Sequence, residues 1–397
     1  MKRIYVVGTA DTKGEELHYL REVIIEAGGN PLVVDVGVRK PTIVPDISAR
    51  DVAAFHLGGA QELLSSDDRG AAVAAMGAAF AKFIASRDDI AAVVGIGGGG
   101  GTSIVTAGMR ALPVGIPKLM VSTLASGEVG QYVGVSDIAM MPSISDMAGL
   151  NRVSRAVLRN AAFAIAGMAR AGAPAPSEKP AIGLTMFGVT TPCVTQAVSE
   201  LRPDYDCVVF HATGTGGRAM EKLVDSAFLN GVIDATTTEV ADLIVGGVMS
   251  AGDDRIGAIE RRRVPYVASL GALDMANFWA LDTVPEKYRD RNLYQHNPQV
   301  TLLRTNAEEN RKMGQWLGER LNRCEGPVRV LIPELGVSAL DAPGKPFHDP
   351  QADAALFDTL EDVLETTAER KLIRLPHHIN DPAFSAALVH NFREIAR

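Results

Sequence analysis

Five consecutive glycines, Gly97, Gly98, Gly99, Gly100 and Gly101, follow the apolar run 91–96 and lead into Thr102 and Ser103. Without Cβ atoms, main-chain N–H groups can approach an oxyanion closely, and the free amides and positive dipole end of a following helix add attraction. The spacing predicts a buried strand, a bare-backbone loop and then a helix, which together form a cradle for a phosphorylated ligand. A plain turn is the competing reading, but it needs only one or two glycines.

Three other segments combine small residues with hydroxyls. In Gly8-Thr9-Ala10-Asp11-Thr12-Lys13-Gly14, Lys13 can meet a phosphate while Thr9 and Thr12 donate hydroxyls. This is neither a P-loop, whose lysine and hydroxyl follow the second glycine, nor a G-x-G-x-x-G turn. Asp11 would repel a phosphate unless Mg²⁺ or a helix cap uses its charge. Asp35, at the end of the second predicted strand, stands where a ribose is gripped in dinucleotide folds; its plain reading is a turn residue. Ser122-Thr123-Leu124-Ala125-Ser126-Gly127 offers hydroxyls of the kind that line an anion or cap a helix. His211-Ala212-Thr213-Gly214-Thr215-Gly216-Gly217-Arg218 reads as a second anion cradle, with Arg218 placed for a bidentate bond to an oxyanion.

Groups for acid–base, nucleophilic or metal chemistry are sparser. His211 is a candidate acid, base or phosphate donor at a strand end, against the reading of an edge histidine. Cys193 lies near a helix N-terminus that would stabilise a thiolate, against the reading of an inert buried side chain. His377 and His378 are adjacent, so on a strand they would point to opposite faces and do not suggest a metal pair. Glu239, Asp242, Asp253 and Asp254 can hold Mg²⁺ or cap helices, and the metal ligand stays open.

These residues need elements to position them. Residues 4–7 and 32–36 read as buried strands around a helix stopped by Gly28 and Gly29, a βαβ unit of right-handed connection. A helix over 70–84, strands over 91–96 and 118–121, and a helix over 151–171 follow. The segment 172–180 carries three prolines and reads as a linker. The second half then repeats the grammar: a strand over 181–186, a helix from about Pro192, a strand over 206–211 and a helix over 218–228. Further strands are expected over 242–245, 266–269, 328–332 and 371–374. The expected fold class is α/β, with Rossmann-like domains over 1–175 and 180–397. Each is an open, mainly parallel sheet flanked by helices, with an interdomain cleft and ligand loops at the strand ends.

Composition agrees: hydrophobic residues make up 47% and aromatics only 5%, with alanine, valine and glycine prominent, as in helices packed closely on parallel sheets. A formal charge of −8 argues against nucleic acid and anionic membranes as partners. The one dense basic cluster, Arg261 to Arg263, reads as a solvated helix end. Three cysteines without a C-x-x-C pair fit a reducing compartment, and no leader or apolar span is visible, so a cytoplasmic location is expected.

In order along the chain, the segments 8–14, 121–127, 149–152, 186–192, 210–218, 236–242 and 336–341 resemble the Tm-1-like ATP-binding domain family. The resemblance implies two Rossmann-like subdomains, ATP binding and a homodimer, and Mg²⁺ is expected to accompany the nucleotide. It carries over the loops at Gly8, Gly97–Gly101, Ser122–Gly127 and Thr213–Arg218 as the nucleotide-contacting set. Plant members carry a further C-terminal barrel similar to phosphoenolpyruvate hydrolases; this chain ends at Arg397, and neither that activity nor virus inhibition is carried over. Relatives are expected to hold a serine within the glycine run, so here contacts shift to backbone donors and Thr102. The leading expectation is an ATP-dependent enzyme of small-molecule metabolism, with Lys13 and Arg218 as charge stabilisers. The alternatives are a regulatory or interaction protein that binds ATP without turnover, and a nicotinamide-dependent oxidoreductase using Asp35.

Overall fold

The computed structural model describes residues 2–66, 68–172 and 178–396. The chain divides into two compact units, Met1–Ala175 and Pro176–Arg397. Most of the segment read as a linker, residues 173–177, lies outside the described residues.

In chain order the N-terminal unit contains β1 (Arg3–Gly8), α1 (Gly14–Glu26), β2 (Pro31–Asp35), α2 (Ala49–Ala53), α3 (Gly59–Leu64), α4 (Arg69–Ala85), β3 (Ile90–Gly97), α5 (Gly99–Ala111), β4 (Lys118–Ser122), α6 (Gly130–Val133), β5 (Ile138–Pro142) and α7 (Arg152–Ala171). Its strands form a parallel sheet in the order β2-β1-β3-β4-β5. Alternation along β1 divides the core. Tyr5 and Val7 pack with Met76 and Phe80 of α4 and Met109 of α5, whereas Ile4 and Val6 pack with Leu17 and Leu20 of α1 and Leu158 of α7. Helices on both faces make these strands continuous apolar runs rather than alternating ones.

Two local expectations change here. Asp11 does not cap α1: Lys13 occupies the N-cap with no side-chain cap bond, and Asp11 accepts the Arg39 N–H at 3.2 Å. The glycine run is not a loop preceding a helix, because α5 begins at Gly99, inside it.

The C-terminal unit contains β6 (Ala181–Met186), α8 (Thr191–Leu201), β7 (Asp206–His211), α9 (Thr215–Asp225), β8 (Val232–Thr236), α10 (Thr238–Val245), α11 (Gly257–Arg262), β9 (Tyr266–Gly271), β10 (Met275–Phe278), β11 (Leu293–Asn297), β12 (Val300–Arg304), α12 (Ala307–Asn322), β13 (Val328–Pro333), α13 (Pro350–Val363), β14 (Arg370–Leu375) and α14 (Pro382–Ile395). Six strands form a parallel sheet in the order β14-β13-β9-β8-β6-β7, and an antiparallel sheet, β10-β12-β11, is inserted along the chain between β9 and β13.

Residues 242–245, expected as a strand, are the last turn of α10, and the strand lies earlier, at β8. Asp234 in the middle of β8 masks its apolar pattern, while a four-residue apolar run does not discriminate strand from helix. The helix expected over 218–228 runs instead from Thr215 to Asp225. Counted from its own first strand, each unit has the same order, second-first-third-fourth-fifth, and the C-terminal unit adds a sixth. Among the described residues no helix is long and apolar enough to cross a membrane.

Candidate functional site

In the N-terminal unit the strand order reverses at β1 and β3, and in open parallel sheets a ligand crevice forms outside the carboxyl ends at such a point. A cavity of ≈ 500 Å³ lies there. The loop after β1 contributes Thr9, Asp11, Thr12 and Lys13, and the start of α5 contributes Gly98 to Gly101. Two cations that the sequence reading missed complete it: Arg39 after β2, and Arg69 at the start of α4.

Gly97 must be glycine for internal reasons, because a Cβ there would lie 2.8 Å from the backbone of Gly101 and Thr102. The next four differ. A Cβ on Gly98, Gly99, Gly100 or Gly101 would meet nothing closer than 3.6 Å, an ordinary contact distance. Three of the four are helical, where glycine costs roughly 1 kcal/mol each relative to alanine. Their amides belong to the first helical turn, before the ladder opens with Thr102 N–H to the Gly98 carbonyl at 2.8 Å, so they have no intrahelical acceptor.

Lys13, Arg39 and Arg69 face this space against one carboxylate, Asp11. Among the described residues neither arginine has an ion-pair partner, and the Lys13 ammonium donates to the Met147 carbonyl. Thr9 and Thr12 join hydroxyls at 2.8 Å. Asp35 is buried beneath, where its Oδ1 accepts the N–H groups of Ala10 at 2.9 Å and Gly37 at 2.7 Å and so shapes the loop after β1. Burial raises its pKa, with Asp11 adding to the effect. Asp11 Oδ1 and Asp35 Oδ2 are both buried without a hydrogen-bond partner.

The hydroxyls expected to follow the glycines are spent elsewhere. Thr102 and Ser122 are fully buried and bond to each other at 2.7 Å, and Ser122 Oγ accepts the Leu124 N–H at 3.0 Å. They brace α5 against β4. Thr123, Ala125 and Ser126 are absent from the cavity wall, although Thr123 Oγ1 comes within 3.7 Å of a Cβ built on Gly98.

The second cradle is already filled from within. Glu239 Oε1 accepts the N–H groups of Gly214 at 2.7 Å and Gly217 at 3.0 Å, so the anion in this nest is the chain's own carboxylate. Its glycines are forced by packing: a Cβ would lie 2.6 Å from the Ser250 carbonyl at Gly214, 1.8 Å from the His211 carbonyl at Gly216 and 2.0 Å from Glu239 at Gly217. Thr213 turns its hydroxyl back to the His211 carbonyl at 3.3 Å, Thr215 opens α9, and Arg218 Nε donates to the Gly214 carbonyl at 3.2 Å. His211 is exposed and stacks on Phe187 at 5.3 Å.

Behind that nest Arg255, fully buried, reaches Glu239 at 2.9 Å, Glu221 at 3.1 Å and Asp234 at 2.7 Å. Burial opposes its charge, but the three carboxylates outweigh that and hold the guanidinium well above its ordinary pKa. Tyr266 donates to Asp234 at 2.6 Å. Balancing the buried Asp234 in a strand against a distant cation was the only signal for this network. Asp242 accepts the backbone N–H groups of Met249 and Asn277, both at 3.1 Å, and the Asn277 side-chain amide at 2.7 Å, yet burial pushes its carboxyl up to about 7. Asp254 pairs with Arg261, and among the described residues no group of three or more His, Cys, Asp or Glu side chains has a metal-binding arrangement. Cys193 is buried, and burial pushes its thiol up to about 12, which makes it inert.

Comparison with known sequences adds a family. Residues 2–174 match the N-terminal domain of the uncharacterised protein family UPF0261, and residues 179–396 match its C-terminal domain. A UPF0261 protein of Rhizobium meliloti (strain 1021) is 65% identical over 396 residues, covering 100% of both chains. One from Clostridium tetani is 44% identical, covering 98% of this chain and 97% of its own. The ToMV resistance protein Tm-1(GCR237) of Solanum lycopersicum is 42% identical across 99% of this chain, which spans 56% of that protein's length.

Proposed function

The chain belongs to the UPF0261 family, both of whose domains it carries in order, and from that premise we propose that the N-terminal unit binds Mg-ATP for an ATP-dependent enzyme of small-molecule metabolism. One observation carries the reading. Four glycines that no neighbour in the protein requires open a helix N-terminus onto a cavity with three cations. A polyphosphate supplies what the fold does not: acceptors for the first-turn amides and a counter-charge for Lys13, Arg39 and Arg69.

Asp11 and Asp35 fit a magnesium ion, since each keeps a buried carboxylate oxygen without a partner and a Cβ on Gly37 would lie within 3.1 Å of both carboxylates. Mg²⁺ is held by one or two carboxylates together with phosphate oxygens and water, so the ion would turn Asp11 from a repulsive neighbour into an attractive one.

A second reading is ATP binding without turnover, since among the described residues neither histidine nor cysteine lines the cavity. In that case ATP orders the protein and is not consumed.

Calorimetric titration of the full chain with Mg-ATP tests the site, with NADH as the control. Arg39→Ala and Arg69→Ala are each expected to weaken Mg-ATP binding about tenfold or more, the size of one charge-assisted hydrogen bond. Gly100→Ala is expected to fold and to bind ATP less well. Absence of Mg-ATP binding, or three variants all binding like the parent, would overturn the assignment. Mass spectrometry after long incubation with ATP and candidate carboxylates then separates turnover from simple binding.

A further inference from the structure

The segment Gly336-Val-Ser-Ala-Leu-Asp341 plays no part in the nucleotide site. It leaves the carboxyl end of β13 and walls a second cavity, of ≈ 860 Å³, within the C-terminal unit. Gly336 holds φ +128°, and a Cβ on it would lie 1.9 Å from the Asp341 carbonyl, so the turn is built around a glycine. Ser338 Oγ donates to Asp274 at 2.7 Å, and Asp341 Oδ2 accepts the Val337 N–H at 2.8 Å. Asn380 N–H donates to His378 Nδ1 at 3.1 Å, which leaves the proton on Nε2 to donate to the Ser338 carbonyl at 2.8 Å.

Behind this wall Asp274, Asp341 and Asp353, all buried, surround one guanidinium, Arg304, which is 2.7 Å from Asp353 and 3.9 Å from Asp341. One cation cannot balance three buried carboxylates, so protons stay in the cluster. Burial, with Asp341 and Asp274 adding to it, pushes the Asp353 carboxyl up to about 8. Asp353 is only 6% exposed and also lines the cavity. Arg304 takes one of its oxygens, and the other has no partner among the described residues.

The rest of the wall is mixed, with Leu335, Pro343, Ala354 and Phe357 among its apolar residues and Lys345 and His348 among its polar ones. Among the described residues Lys345 has no ion-pair partner, and His348 Nδ1 stands 4.0 Å from Asp341.

We infer that this cavity is a second ligand site, for a small organic acid with an apolar body, whose oxygens meet Lys345 and a hydrogen bond donated by Asp353. The cavity, the unspent oxygen of a nine-tenths-buried side chain on its wall and the unpaired ammonium are three separate observations, and they agree on one ligand chemistry. Glu334 and Arg374 pair with each other at 2.8 Å, so Lys345 supplies the cationic contact.

The probe is 4-methyl-2-oxopentanoate, titrated into the full chain by calorimetry or saturation-transfer NMR. Binding is expected at pH 6.5 and should fall about tenfold by pH 9, as the Asp353 proton leaves. The charged and titratable groups around Asp353 are Arg304, Asp274, Asp341 and His348, with Glu334, Lys345, Arg374, His378 and Asp381 across the cavity. Asp353→Asn keeps an N–H donor and should bind the probe at both pH values, whereas Asp353→Leu should lose it. Ala354→Phe fills the cavity without touching the acid cluster, and it should also abolish binding if the leucine variant fails to fold. No binding at pH 6.5, binding that survives Ala354→Phe, or pH dependence unchanged in Asp353→Asn would overturn the inference.

Discussion

At Gly214, Gly216 and Gly217 an added Cβ would collide with the protein at 2.6, 1.8 and 2.0 Å, whereas at Gly98 to Gly101 it would meet nothing closer than 3.6 Å. Both runs follow parallel strands and both open helices, yet one is occupied by Glu239 and the other faces a cavity. The difference teaches that a glycine run has two physical causes. In the C-terminal unit the backbone needs glycine to fit its own neighbours. In the N-terminal unit no neighbour closer than 3.6 Å asks for it at Gly98 to Gly101, and on the proposed reading a ligand offsets the cost in helix stability.

The sharpest way to break this comparison is to empty the filled nest. Glu239→Ala strands the buried N–H groups of Gly214 and Gly217 and removes one partner of Arg255, so a loss of about 3–5 kcal/mol is expected. Thermal unfolding should show it as a fall of roughly 10 °C in the C-terminal transition. Next in size is Gly217→Ala, which drives a methyl into Glu239 and should cost about 1–3 kcal/mol. Thr102→Val removes the buried hydroxyl pair with Ser122 and should cost about 1 kcal/mol while leaving Mg-ATP affinity unchanged, since neither hydroxyl reaches the cavity. Gly100→Ala should have the opposite sign, stabilising the unliganded chain by about 0.5–1 kcal/mol. If Gly100→Ala and Gly217→Ala destabilise alike, the distinction between the two runs is wrong.

A pH scan refines the picture of the filled side. The folded chain keeps a proton on Asp242 up to about pH 7, while the unfolded chain releases it near the ordinary value of 3.8. Over that window the folded state binds more protons, so this contribution to stability is complete below about pH 4 and is lost as pH rises through 7. Asp242→Asn should flatten that slope in urea titrations. The Asn277 amide, whose oxygen has no partner, can accept from the new side-chain N–H.

Much of this was legible in the residues. Buried parallel strands write themselves as short apolar runs ended by small residues, as in β1, β3 and β4, and the glycines at the end of β3 marked the edge where the proposed site lies. The C-terminal nest was misread because its occupant, Glu239, lies 22 residues beyond Gly217 in sequence and on another helix. β8 was hidden by Asp234, which Arg255, Tyr266 and Thr185 reach from afar. Arg39 and Arg69 carried no motif, and only the strand order brings them to one cavity. The antiparallel insertion was missed because β11, with Gln295, His296 and Asn297, is largely exposed and carries little apolar signal.

A carboxylate that is covalently part of the molecule cannot diffuse away. The nest around Glu239 is therefore saturated at any buffer composition, and its shape is indifferent to metabolite levels. On the proposed reading the turn at Gly98 to Gly101 has no such tether, and its order rises and falls with the concentration of the anion it binds. On that reading, holding one nest permanently closed confines responsiveness to the other.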